Sequence, residues 1–118
     1  MKHVAVIDVG KTNVKVALVN LELFEEKQVI SIPNEAIQSG HFLTFNTESI
    51  WNFICESLKK IGLKFEINGI SVTTHGAAAV LIMKDGTYAE PIDYEDPEID
   101  AIATVSYTHL TLPTILPV

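Results

Sequence analysis

Residues 4–19, VAVIDVGKTNVKVALV, constrain the fold most. Two β-branched runs flank a short break at Gly10. Residues 3–9, HVAVIDV, are nearly all apolar and read as a buried strand. Residues 13–20 put Val14, Val16 and Leu18 on one side and Lys15, Ala17 and Val19 on the other, which predicts a second strand. EEKQVISIP (25–33) reads as a third, stopped by Pro33. Links this short predict an antiparallel meander.

The break itself, Gly10-Lys11-Thr12-Asn13, resembles the end of a P-loop. A P-loop needs G-x-x-x-x-G-K-[ST] followed by a helix. Its first glycine would fall at Ala5, inside a strand, and the residues after Thr12 have period two. The dinucleotide pattern G-x-G-x-x-G fails as well, because Gly10 stands alone. Another phosphate site fits. Over a hairpin turn, backbone N–H groups and the Thr12 hydroxyl can face an anion, and Gly10 omits the side chain that would block its approach. Asp8, ending the first strand, suits Mg²⁺ beside a polyphosphate. Spacing alone serves equally well a plain hairpin with a satisfied aspartate at its turn.

Residues 34–46 read as loop. Asn46 suits an N-cap, and a helix follows from Thr47 to Ile61, with Ile50, Trp51, Ile54, Leu58 and Ile61 on one face and Gly62 as its stop. Trp51 at this spacing is expected in the core, and Cys55 as a packed thiol. INGISVTT (67–74) is a fourth strand, and residues 77–92 form a hairpin turned at Asp85-Gly86. The acidic stretch 93–100 follows, with Pro97 placed to open a helix. The predicted class is α/β. Three meandering strands, a helix, a fourth strand and a hairpin make the first half of a ribonuclease-H-like domain.

At 118 residues the chain is one domain at most, or a piece of one. Its 47% hydrophobic content allows a sizeable core. The net charge of −7 argues against a nucleic-acid or anionic-membrane surface. The single cysteine excludes an internal disulfide, and no Cys/His cluster has zinc spacing. No signal-peptide layout or bilayer-length apolar run occurs. A reducing cytoplasm is the expected location.

Every Lys, Asp and Glu lies at or before Asp100. The end, VSYTHLTLPTILPV, resembles a translated sequencing adapter. The transposon-adapter string GTCTCTTATACACATCTGACGCTGCCGACG reads in one frame as VSYTHLTLPT, identical to Val105–Thr114. Residues 1–104 are therefore expected to be the native part and residues 105–118 a non-native tail, with the natural protein longer.

IDVGKTNVKVALV resembles the first phosphate motif of the actin, hexokinase and chaperone ATPase superfamily, roughly D-x-G-x-[ST]-[NS]-x-[KR]. Asp8, Gly10, Thr12, Asn13 and Lys15 match; Lys11 replaces the threonine frequent in sugar kinases. INGISVTTHGAAAVLIMKDGTYAEPIDYED resembles the segment of FGGY-family carbohydrate kinases that lines the sugar side of the cleft. The Thr-Thr-His-Gly core and the closing Tyr-x-Asp match, although Asp85 lies next to Gly86 rather than further upstream. The resemblance covers residues 3–100 and implies a truncated actin-like ATPase domain. It implies an ATP- and Mg²⁺-dependent kinase acting on a ketose or polyol. ATP phosphates would lie on Gly10, Lys11, Thr12, Asn13 and Lys15, the metal on Asp8, and the sugar on Thr74, His75, Gly76 and Asp96. The catalytic base would be an Asp beyond this chain's end. VTTHG looks most like the L-fuculokinase and L-rhamnulokinase branch. An actin-like or cell-division-like filament protein is the alternative; it would share the phosphate hairpin but bind no sugar. A related acyl-CoA reductase activator would need a cluster-ligating cysteine, which mid-helix Cys55 does not suit.

Overall fold

The computed structural model describes residues 2–76 and 78–97. Strands β1 (His3–Val9), β2 (Asn13–Asn20) and β3 (Glu25–Pro33) form the expected antiparallel meander. Helix α1 (Thr47–Gly62) then carries the chain back to β6 (Gly69–Thr74), which pairs parallel with β1. A parallel return needs a crossover of this kind. The sheet order is β3-β2-β1-β6, so β1 is central and β6 an edge. This arrangement is the first part of a ribonuclease-H-like domain.

Side-chain alternation decides which face is covered. Val14, Val16 and Leu18 of β2, with Ala5 and Ile7 of β1, are buried against Ile54 and Ile61 of α1. In register, Val16 faces Ile7 and Leu18 faces Ala5. The opposite face carries Asp8 and its cross-strand partners Lys15 on β2 and Thr73 on β6. The Asn46 side chain caps α1 by accepting the Ser49 N–H at 3.1 Å.

Several expectations need correction. Residues 34–46 are not all loop: β4 (Ile37–Ser39) and β5 (Phe42–Thr44) pair antiparallel, turned where Gly40 takes φ +63°. Strands of three residues are too short to print a periodicity. Gly62 does not stop the helix. It lies within α1, and Leu63 caps it in a right-handed conformation, donating its N–H to the carbonyls of Ile61 and Lys59. Trp51 is 65% exposed and outside the core. Successive helical residues rotate by about 100°, which sets Trp51 at the edge of the stripe through Ile54 and Ile61. The fourth strand begins at Gly69, two residues late.

The hairpin turns where expected. Met83 donates its N–H to the Thr87 carbonyl and accepts the Gly86 N–H, and Gly86 takes φ +88°, a glycine conformation. The Thr87 hydroxyl, and then its backbone N–H, hold the Asp85 carboxyl below its usual range. The helix expected beyond Pro97, and the tail 105–118, lie outside the described residues. Among the described residues no helix is long and apolar enough to cross a membrane.

Candidate functional site

The β1–β2 turn is braced from outside. Gly10 donates its N–H to the Asn13 carbonyl at 2.8 Å. Asn34, buried just past β3, donates its side-chain N–H to the Gly10 carbonyl at 2.8 Å and its backbone N–H to the Thr12 carbonyl at 2.8 Å. A Cβ on Gly10 would stand 2.9 Å from the Asn13 carbonyl oxygen, so the turn requires glycine there. Among the described residues the backbone N–H groups of Lys11 and Thr12 donate to no protein acceptor. With the Thr12 hydroxyl, they form a small donor-rich crown open to an anion.

Lys11 does not point freely into that crown. Its ammonium lies 3.1 Å from Asp93 Oδ2 and 3.8 Å from Glu95 Oε2, and 5.5 Å over the Phe45 ring. The hydrogen bond to Asp93 is the chief reason its pKa is raised. Burial opposes that rise, while the charges of Asp93 and Glu95 add to it.

The second half of the site begins where β6 ends. The His75 N–H is donated to the Val9 carbonyl at 3.0 Å. Its ring sits 5.0 Å from Phe45 and 5.6 Å from Tyr94, centroid to centroid. Thr74 and His75 line one wall of a cleft of about 400 Å³. Ile50, Trp51 and Ile54 of α1 form another wall, and Val80 and Tyr88 of the hairpin a third. This cleft is mostly apolar, its polar lining is Thr47, Thr74, His75 and Tyr88, and neither Gly10–Asn13 nor Asp96 takes part in it. Gly76 follows, exposed, with no atom within 4 Å of a Cβ placed there.

Residues 91–96 run along β5. Phe45 donates its N–H to the Pro91 carbonyl, and Asp93 its N–H to the Leu43 carbonyl. The Leu43 N–H is donated to Asp96 Oδ2, and Asp96 is only 3% exposed. Glu90 accepts the Thr47 N–H at 3.1 Å and its hydroxyl at 2.8 Å, a carboxylate at a helix N-terminus where the helix dipole favours it. Sequence reasoning missed Asn34, Glu90 and Asp93 as braces. An Asn directly after the strand-ending Pro33 was the one legible signal.

The residues present fit a metal-bound polyphosphate. Asp8, Lys15 and Thr73 share one sheet face by register at the turn end of β1. Among the described residues no group of three or more His, Cys, Asp or Glu gathers. Mg²⁺ needs no such cage, because one or two carboxylates plus phosphate oxygens and waters satisfy it.

No family model and no curated protein matches the chain. Solved structures do. The ligand-bound xylulose kinase of Lactobacillus acidophilus matches at TM-score 0.76 and 18% identity, over 92% of this chain and 23% of that one. The gluconate kinase of the same organism matches at TM-score 0.76 and 18% identity, over 91% and 22%. Plasmodium falciparum glycerol kinase with ADP matches at TM-score 0.68 and 16% identity, over 94% and 24%. The chain therefore has the fold of one part of these kinases and spans about a quarter of their length.

Proposed function

We propose that this chain is the phosphate-turn segment of an ATP-dependent sugar kinase, which transfers the γ-phosphoryl group to a hydroxyl of a ketose or polyol. One observation carries the reading. The parallel β1–β6 pair brings the turn 10–13 and the Thr74-His75-Gly76 stretch to one end of one sheet, in a fold shared with solved sugar kinases.

In this reading the crown of Gly10, Lys11, Thr12 and Asn13, with Lys15, binds ATP phosphates. Asp8 holds Mg²⁺, which supplies charge neutralisation for phosphoryl transfer. Thr74, His75, Gly76 and Asp96 present polar groups to the sugar, whose buried hydroxyls each need a partner. The deprotonating Asp lies outside this chain, residues 1–104 are the native part, and residues 105–118 are a non-native tail. The location is cytoplasmic, and no nucleic acid or membrane takes part. Within the fold class, VTTHG favours an L-fuculose or L-rhamnulose substrate.

The test is a kinase assay with ATP and Mg²⁺ on a kinase-length chain bearing these residues. The panel would hold L-fuculose, L-rhamnulose, D-xylulose, gluconate and glycerol. Turnover on one of them supports the reading, with the two L-ketoses deciding the branch. ATPase activity that no sugar stimulates would favour a filament protein instead.

A further inference from the structure

Asp93 is a buried carboxylate, its side chain 5% exposed, and Lys11 is its cationic partner. Asp93 is fixed from several directions. Its Oδ1 accepts the Glu95 N–H at 2.9 Å, its own N–H reaches Leu43, and its carbonyl accepts the Asp96 N–H at 2.9 Å. Lys11 stands on the turn and is 26% exposed at its side chain. An ammonium that abandoned Asp93 for a phosphate would strand a buried charge, which is strongly disfavoured. It need not do so, since an ammonium carries three donors. Glu95 is two-thirds exposed and holds it only weakly.

We propose that Asp93 is a positioning residue, which holds the Lys11 ammonium between the phosphate turn and residues 91–96, so that an anion on the turn is felt along that segment. The proposal rests on the reading of the turn as a polyphosphate site. Lys11 serves the anion while still bound to Asp93, and Asp93 stays attached to β5. Phe45 lies beneath the ammonium and beside His75. Occupancy of the turn and geometry of the substrate wall are thereby coupled, and the coupling acts equally in both directions.

The experiment is an amide NMR titration of a kinase-length chain bearing these residues with Mg²⁺-tripolyphosphate. In the wild type, amide resonances of both 10–13 and the non-proline residues of 91–96 should move along one binding curve. In Asp93→Asn, which keeps the side-chain shape, 10–13 should still respond and 91–96 should lose most of their shift. Lys11→Gln, which serves if Asp93→Asn does not fold, should weaken anion binding at the turn and, at saturating tripolyphosphate, leave 91–96 with most of their shift lost. Lys11→Arg should restore the response, and Glu95→Gln should leave it intact. A direct field effect of the anion would survive the substitutions, so undiminished shifts at 91–96 in both neutralising variants overturn the proposal. So does a wild type in which only 10–13 move. A wild type in which 10–13 never move overturns the phosphate-site reading itself, and the tether with it.

Discussion

His75 donates its backbone N–H to the Val9 carbonyl across 3.0 Å. That bond extends the parallel β1–β6 ladder one residue past the end of β6, onto the last residue of β1. The chain therefore enters the 10–13 turn beside the point where it leaves β6 for residues 74–76. Two stretches over sixty residues apart in sequence are held together by sheet pairing, and each can be perturbed separately.

Gly10→Ala should perturb the turn alone. The new Cβ would meet the Asn13 carbonyl oxygen at 2.9 Å, and backbone cannot swing aside as a side chain can. Relieving such overpacking costs about 1–3 kcal/mol. In a kinase-length chain, tripolyphosphate binding should be lost while the amide spectrum of α1 stays native-like. Retained binding would show that the crown is not the anion site.

Asp8→Asn should act on chemistry rather than on the sugar. Asp8 shares a face with Lys15 and Thr73, opposite the helix. In a kinase-length chain, kcat should fall by about a hundredfold or more, the scale of losing charge stabilisation in a transition state. The sugar KM should change little. Steady-state kinetics at saturating Mg²⁺ and ATP measure this, and an unchanged kcat would remove Asp8 from the metal site.

Most of this architecture is legible in the sequence because the strands carry their own alternation. Val14, Val16 and Leu18 announce a covered face, and all three are buried. The helix is legible from Ile54 and Ile61. Trp51 is not, since spacing cannot say which edge of a stripe meets the sheet and which meets a cleft. The braces are the least legible. Asn34 reaches Gly10 from 24 residues away and Lys11 reaches Asp93 from 82, and no local pattern encodes such pairs. Lys11 by itself suggested only a phosphate ligand.

Asp96 has a structural duty beside any role with sugar. Asp96→Ala should cost about 1–3 kcal/mol of stability, because the Leu43 N–H loses its acceptor in a buried place. Asp96→Asn keeps an oxygen for that N–H and should be far milder. Urea unfolding of both, with sugar calorimetry in a kinase-length chain, separates the two duties. Sugar affinity that survives Asp96→Asn unchanged would leave Asp96 a brace only.

The Lys11–Asp93 pair gives the alkaline limb of stability its sign. The pKa of Lys11 is raised in the fold above its reference of 10.5, chiefly by the Asp93 hydrogen bond. A raised basic pKa contributes stability that is complete below the unfolded value and fades as pH rises through the folded one. Urea unfolding of wild type and Lys11→Met should therefore differ at about pH 8 and converge toward about pH 12. A gap that stays constant across this range would mean the ammonium's charge contributes nothing.

The chain as it stands should show no sugar-kinase turnover and only marginal stability. Solved kinases of this fold are about four times longer, and the proposed reaction needs a base that none of the assigned residues supplies. Among the described residues the sheet also leaves β6 at an edge, with Ile70 57% and Val72 65% exposed. Uncovered apolar residues on an unpaired strand edge invite association. A unit this small has little stability to spare. Expression of residues 1–118, with a sugar-panel assay and thermal unfolding, tests this. The expected outcome is no phosphorylated product and a broad, concentration-dependent transition. A soluble monomer that unfolds sharply, or any measurable turnover, would show that these residues form a complete unit.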